Sequence, residues 1–235
     1  MLDIKTQIRR VEAYARRQRL SKMPKPINDR RMYRDYPFLK DYDPAKVESK
    51  TNLSSAYWDY VGSVSIEAAA ISLELAYFLY FMCENLAPQS ILDLGSGFSS
   101  YVTRLYRKQS NLNCATLSVD SDEGWLDKTS SYLATHSLPV DHLASWEEFQ
   151  SRDNTKFDLV LHDLGGPGRV ESAGRVLESV DSKGTLIIDD MHKPKFRTPI
   201  RKVLEDCGAV HYDLSRLTLD KFDRYSWMVS GINSQ

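Results

Sequence analysis

Aspartates come directly after four short apolar runs of the sequence, an arrangement that can bring several carboxylates together at one site. Runs of this kind are typical of buried strands in an α/β protein. The carboxyl ends of parallel strands meet at one edge of a sheet, and ligands bind at that edge. We therefore expect a polar cleft lined by Asp93, Asp120, Asp163, Asp189 and Asp190.

The first apolar run leads into a glycine-rich turn, Gly95-Ser96-Gly97, and the residues from Tyr101 onward have helical character. Glycine permits backbone angles and close ligand approach that a β-carbon would prevent. The free N–H groups at the start of a helix attract a polar or anionic ligand. The turn therefore predicts a site for a nucleotide-like cofactor. Ser100 stands where the dinucleotide fingerprint has its third glycine, which disfavours an NAD-dependent oxidoreductase.

Strand and helix patterns alternate along the rest of the chain, which predicts a mostly parallel sheet with helices on both faces. A nearly all-apolar helix, predicted for residues 65–86 with Ser65 as its cap, precedes the first strand and ends at Pro88. The predicted strands are residues 91–94, 114–119, 140–144, 157–162, 184–188, 210–214 and 225–230. The later predicted helices are residues 125–135, 169–180 and 200–207.

The pattern from Asp93 through Gly95 and Gly97 to Ser99 resembles motif I of the class I S-adenosylmethionine-dependent methyltransferases. The resemblance implies an α/β fold with a Rossmann-like seven-stranded sheet whose last strand is antiparallel. It covers residues 60–235 as the methyltransferase domain and leaves residues 1–59 as a helical and irregular N-terminal extension. The cofactor residues it implies are Asp93, Gly95, Ser96, Gly97 and Ser99, with Asp120 on the ribose hydroxyls, Ser145 and Trp146 at the adenine, and Asp163.

The order of motifs from Val61 onward looks like that of catechol- and caffeoyl-CoA-type O-methyltransferases. The resemblance places the segment Ser63, Val64 and Ser65 near the methionine end of the cofactor. It also implies a divalent metal, with Mg²⁺ as the candidate ion and Asp163 and Asp190 in the first two ligand positions. The third position of the metal motif is Met191, and a thioether is a poor ligand for a hard cation. Asp189 or His192 is the candidate substitute for the third ligand, and loss of the metal stays open.

Methyl transfer needs in-line positioning and removal of a proton from the acceptor. The candidate catalytic residues are Asp163, Asp190 and His192, and nearby carboxylates are expected to raise the pKa of His192. His162 directly precedes Asp163, so strand alternation predicts that it points away from the face of Asp163. Transfer of a methyl group to the hydroxyl oxygen of a small molecule is the function that the resemblance favours.

Two other functions stay open on the sequence. An aminopropyl-type transferase on the same fold would suit an acidic cleft that binds a polyamine. A non-catalytic partner subunit would bind nucleic acid through residues 5–34, which hold eleven Lys or Arg against two acids. The first twenty of the chain's residues have the spacing of an amphipathic helix with a basic outer face, which also fits a solvated surface.

The composition limits the remaining possibilities. The net charge of −1 gives no general reason for nucleic-acid binding, and the three scattered cysteines indicate reduced thiols and a cytoplasmic protein. The most apolar stretch, residues 68–83, is short for a membrane span and contains Glu74. We expect no membrane partner, and a homodimer stays open.

Overall fold

The computed structural model describes residues 27–111, 113–152, 155–165 and 168–232. Within them the chain forms a seven-stranded sheet with helices on both faces, which confirms the predicted fold class. The basic helix predicted for the first twenty residues lies outside the described residues and stays a prediction.

The strand order is β3-β2-β1-β4-β5-β7-β6, and β7 runs antiparallel to both of its neighbours, as predicted. All the other pairings are parallel. The strands are β1 Ser90–Leu94, β2 Ala115–Asp120, β3 Leu143–Ser145, β4 Phe157–His162, β5 Val180–Ile188, β6 Val210–Asp213 and β7 Trp227–Ser230.

The helices cover the two faces of this sheet. A short 3₁₀ helix, Pro37–Asp41, lies between the first two α-helices. The α-helices are α1 Ile27–Asp35, α2 Pro44–Thr51, α3 Leu53–Ser63, α4 Leu73–Leu86, α5 Phe98–Ser110, α6 Glu123–Thr135, α7 Trp146–Ser151, α8 Gly168–Glu171, α9 Ala173–Glu178, α10 Pro194–Asp206 and α11 Ser215–Thr218. None of the helices in the described part of the chain is long and apolar enough to cross a membrane.

Strand alternation divides the buried residues into two clusters, one on each face. In β1, Ile91 packs with α4 and α5, whereas Leu92 and Leu94 pack with α9 and α10 on the opposite face. Asp93 therefore points toward the α4 and α5 face, beneath the glycine turn. The predicted domain boundary between residues 59 and 60 falls inside α3, whose residues share the first cluster.

The helix before β1 begins later than predicted. Ser72 is its N-cap, with the side chain accepting a hydrogen bond from the Leu75 N–H at 3.0 Å. The predicted cap, Ser65, lies in a non-helical segment instead. Residues 75–83 are all buried, so the apolar pattern did identify a buried helix. Its first turns were predicted wrongly because apolar residues in the preceding segment continue the pattern.

Two other elements differ from the sequence prediction. The predicted helix 169–180 is two short helices, α8 and α9, separated by a turn at Ser172, and Val180 already belongs to β5. The helix predicted for residues 200–207 begins six residues earlier, at Pro194. Proline is favourable in the first helical turn, where its missing N–H leaves no hydrogen bond unmade. These differences alter the loops that follow β4 and β5, where the candidate site lies.

Candidate functional site

The turn between β1 and α5 has no room for a side chain at either of its two glycines. Gly95 has φ of 94°, and a β-carbon there would lie 2.5 Å from the Asp163 backbone oxygen. Gly97 has φ of 154°, and its β-carbon would lie 2.8 Å from the hydroxyl oxygen of Tyr60. Both glycines are therefore required by backbone angle and by contact. The turn is packed between the end of β4 and the end of α3.

A cleft of about 480 Å³ opens above this turn, at the carboxyl ends of β1, β2, β4 and β5. A neighbouring hollow of about 160 Å³ shares Ser121 and Gly165 with it and is lined by Trp146 and Leu164. The structure brings together, along the cleft, the predicted residues Gly95, Ser96, Gly97, Ser99, Asp120, Asp163, Asp189 and Asp190.

Asp120 lies at the rim of the cleft, at the end of β2. One carboxylate oxygen accepts the Asp122 N–H at 3.1 Å, and the other accepts the Ser96 hydroxyl at 3.2 Å. A carboxylate has about four acceptor positions, so lone pairs remain for a ligand. Burial raises the pKa of Asp120, and these hydrogen bonds oppose the shift. Asp120 is thus oriented by the glycine turn itself.

Asp93 does not line the cleft. Its side chain is fully buried, and one oxygen accepts hydrogen bonds from the Ser100 hydroxyl at 2.5 Å and the Ser118 hydroxyl at 2.9 Å. The Ser100 oxygen in turn accepts the Gly97 N–H at 3.2 Å. Asp93 therefore supports the glycine turn from below through Ser100. Its position near the methionine end of a cofactor, implied by the resemblance, stays a prediction.

Two further predicted residues have structural contacts instead of cleft contacts. Ser63 is exposed at the end of α3 and donates to the Asp59 carbonyl at 2.8 Å. Ser145 caps α7 by accepting the Glu148 N–H at 3.1 Å. The segment that does line the cleft before α4 is residues 68–71.

Arg224 holds that segment in place. Its guanidinium donates to the backbone oxygens of Glu67, Ala68 and Ala70 at 3.2, 3.2 and 2.9 Å. The same side chain is paired with Asp220 at 2.6 Å. The rim of the cleft therefore depends on an arginine more than 150 residues away in sequence.

Arg169 is a charged residue of the cleft that the sequence analysis did not identify. Its guanidinium pairs with Asp163 through Nη2 and with Asp190 through Nη1, the latter at 2.9 Å. It also donates to the backbone oxygens of Asp189 and Leu164, each at 2.9 Å. The side chain is only 3% exposed. A single arginine after a glycine-rich loop has no spacing signal, so only the folded loop shows its partners.

The sequence comparisons found no match, either to a protein-family model or to a curated protein. Solved structures do match. An O-methyltransferase from Bacillus cereus, solved in complex with SAH, has a TM-score of 0.58 at 13% identity, over 75% of this chain and 88% of its own.

Two further solved structures agree with that match. A SAH-bound methyltransferase from Podospora anserina has a TM-score of 0.59 at 12% identity, covering 88% of this chain and 98% of its own. The O-methyltransferase TomG from Streptomyces achromogenes, in complex with SAM, has a TM-score of 0.54 at 13% identity, covering 75% of this chain and 87% of its own.

The chain has the class I methyltransferase fold.

The metal that the catechol-type resemblance implies does not fit this version of the methyltransferase fold. Asp163 and Asp190 are both bound to Arg169, and Met191 in the third ligand position is fully buried. In the described part of the chain, no group of three or more His, Cys, Asp or Glu side chains is arranged to hold a metal ion. We therefore derive no chemistry through a metal.

The two neighbouring aspartates at the end of β5 differ in their surroundings. Asp190 has a left-handed backbone and pairs with Lys193 at 2.6 Å as well as with Arg169. Although burial acts in the opposite direction, Arg169 and Lys193 together lower the pKa of Asp190. In Asp189, one carboxylate oxygen accepts the Ser226 hydroxyl at 2.8 Å, and burial raises the pKa.

His192 does not line the cleft, although it lies beside it. Its Nδ1 is 3.5 Å from an Asp190 oxygen, without the geometry of a hydrogen bond. Burial lowers the pKa of His192 and outweighs the opposing effect of Asp190, so the expected upward shift was wrong. His162, as predicted, points to the other face, where its Nε2 contacts the Arg169 backbone oxygen at 2.8 Å.

Proposed function

We propose that this protein transfers a methyl group from S-adenosylmethionine to a hydroxyl oxygen of a small molecule. The observation that carries the proposal is that the glycine turn and the rim carboxylate Asp120 line one cleft, which adjoins the Trp146 hollow at Ser121 and Gly165. The fold, shared with solved methyltransferases, supports the same reading.

The residues that would hold the nucleoside follow from this arrangement. Asp120 would accept the ribose hydroxyls with its remaining lone pairs. Trp146 and Leu164 line the hollow in which the adenine ring would be enclosed. The backbone at Gly95 and Gly97 allows close approach of the cofactor because neither residue has a side chain.

Tyr60 is a further candidate for the cofactor site. Its ring is 98% buried among Phe98 and Tyr132, whereas its hydroxyl lines the cleft beside Gly97. Within the described residues this hydroxyl has no hydrogen-bond partner. A rigid, buried phenol with a free hydroxyl is suited to orient a bound molecule. The sequence contains no motif that would have singled it out.

When bound, S-adenosylmethionine supplies an activated methyl group on a sulfonium sulfur. The protein then has to position the acceptor in line with that group and remove its proton. Asp189 is the best candidate for the proton acceptor, because it lines the cleft and its carboxylate, unlike those of Asp163 and Asp190, makes no ion pair with Arg169. Asp163 and Asp190 are occupied by Arg169, so we assign them positioning roles.

The aminopropyl alternative loses its electrostatic basis. It required an acidic cleft for a polycation, but Arg169 and Lys193 neutralise Asp163 and Asp190. The nucleic-acid alternative depends on residues 5–34, most of which lie outside the described ranges. We therefore rank methyl transfer first.

Calorimetric titration of the metal-free protein tests the proposal. We expect S-adenosylmethionine to bind with a Kd on the order of micromolar, and the decarboxylated cofactor to bind more weakly. Tighter binding of the decarboxylated cofactor would favour aminopropyl transfer. No binding of either compound by folded protein at about 1 mM ligand would overturn both transferase assignments.

A further inference from the structure

We propose that the Arg169 guanidinium takes the place of a divalent cation at the ends of β4 and β5, and that the acceptor oxygen meets its N–H group instead of a metal. This inference rests on the proposed function for the identity of the acceptor. The contacts of the Arg169 guanidinium alone carry the assignment of the cation position.

The contacts of Arg169 are those expected of a bridging cation. It joins the carboxylates of Asp163 and Asp190, which follow two different strands, and it also binds the backbone oxygens of Asp189 and Leu164. A metal ion in this position would use the same carboxylates. An arginine cannot lose its charge under ordinary conditions, so the positive charge is permanent.

A dication cannot enter without displacing the guanidinium. The Arg169 side chain is almost fully buried, and its two carboxylate partners are 16% and 14% exposed. Displacement would leave a buried positive charge without a partner, which is strongly unfavourable. Asp190 is neutralised a second time by Lys193. The site therefore keeps its arginine in preference to a metal.

The arginine still has capacity for a ligand. A guanidinium has five N–H groups, and the contacts with Asp163, Asp189, Asp190 and Leu164 account for four. Arg169 lines the cleft, so the remaining N–H on Nη2 is the donor available to an acceptor oxygen. Since only this one N–H remains, the site recognises a single oxygen and not a vicinal diol, which would need two donors.

Manganese binding provides a direct test, because Mn²⁺ replaces Mg²⁺ at oxygen sites and its free form is measured by electron paramagnetic resonance. We expect the wild-type protein to show no site tighter than about 1 mM. We expect Arg169→Met to gain a Mn²⁺ site and to melt at higher temperature when Mn²⁺ is added. Arg107→Met is the matched control, since it removes a partly exposed arginine from a pair with Asp141 elsewhere.

Either arm can overturn the proposal. A wild-type Mn²⁺ site of micromolar affinity that is lost in Asp163→Asn would show that a metal competes with the arginine. A folded Arg169→Met variant that gains no site would show that the arginine does not occupy a cation position. If that variant does not fold, Arg169→Gln is tested in its place. Gain of a Mn²⁺ site again supports the proposal, and no gain overturns it.

The binding of S-adenosylmethionine, measured on the same metal-free samples, tests the proposed function separately. If the wild-type protein binds neither S-adenosylmethionine nor Mn²⁺, the proposed methyl-transfer function is rejected and the assignment of Arg169 to the cation position stands.

Discussion

The Tyr60 hydroxyl lies 2.8 Å from the position that a β-carbon on Gly97 would occupy. The two residues are on different elements, and their contact determines how close α3 comes to the glycine turn. It also leaves the hydroxyl at the wall of the cleft. The requirement for glycine at this position is thus partly a property of α3.

The contact predicts how variants at the two positions combine. We expect Gly97→Ala to weaken S-adenosylmethionine binding at least about tenfold, which is 1.4 kcal/mol. Tyr60→Phe alone should cost about 0.5–1.5 kcal/mol of binding, the value of one hydrogen bond. The double variant should bind better than Gly97→Ala, because the closest atom in the clash has been removed.

Calorimetry on the three variants checks this expectation. Tyr132→Phe is the control, since its hydroxyl donates to the Ala56 carbonyl at 2.7 Å and does not line the cleft. It should lower thermal stability and leave cofactor affinity unchanged. Equal affinities for Gly97→Ala and the double variant would show that the hydroxyl is not the obstacle.

Replacing Asp120 should affect cofactor binding far more than stability. Asp120→Asn retains one acceptor oxygen for either the Asp122 N–H or the Ser96 hydroxyl, but it loses the charge that would strengthen hydrogen bonds from the ribose hydroxyls. Hydrogen bonds to charged groups contribute about 1.5–3 kcal/mol, so we expect Kd to rise roughly 10- to 100-fold. Glu123→Gln, an exposed carboxylate of the next helix, is the control and should bind normally. Equal losses in both variants would indicate a general effect of charge.

The rate of methyl transfer should fall at low pH if Asp189 accepts the proton. Burial raises the pKa of Asp189, so the acidic limb of kcat/KM should lie above the ordinary aspartate value of about 3.9. Protonation removes the base, so the rate decreases as the pH falls through this limb. Asp189→Asn should be slow at every pH and should lack the limb.

Ser226→Ala distinguishes this mechanism from titration of another group. The Ser226 hydroxyl stabilises the ionised form of Asp189, so removing it should raise the pKa and move the limb to higher pH. If the acidic limb of kcat/KM lies at the same pH in Ser226→Ala as in the wild type, the titrating group is a residue other than Asp189.

Arg224 should contribute strongly to stability. Arg224→Met would remove the guanidinium that pairs with the buried Asp220 and would free three backbone oxygens of the segment before α4. Breaking a buried pair costs about 3–5 kcal/mol, so we expect the free energy of unfolding in urea to fall by that amount. Lys50→Met removes an exposed pair with Glu84 and should cost about 0–1 kcal/mol. Similar losses in the two variants would contradict the assigned role.

Much of the fold could be predicted from local patterns. The apolar runs before Asp93, Asp120, Asp163 and Asp189 identified strands, and their alternation with helices predicted the sheet. The glycine turn was visible because backbone angle and close approach restrict residue choice locally. The start of α4 was missed because apolar composition does not separate a buried helix from the turns that precede it.

The sequence by itself determined the order of the elements and the edge of the sheet at which the acidic residues meet. These features depend on backbone preferences and on the period of apolar residues, and both are determined by residues close together in the sequence. Only the tertiary structure decided which charges are paired and which atoms reach the cleft. Tyr60 beside Gly97, Arg169 beside Asp190, and Arg224 on residues 67–70 are contacts between segments distant in sequence, set by packing and side-chain conformation. No spacing rule encodes such contacts, because they arise when distant segments are brought together around a common core.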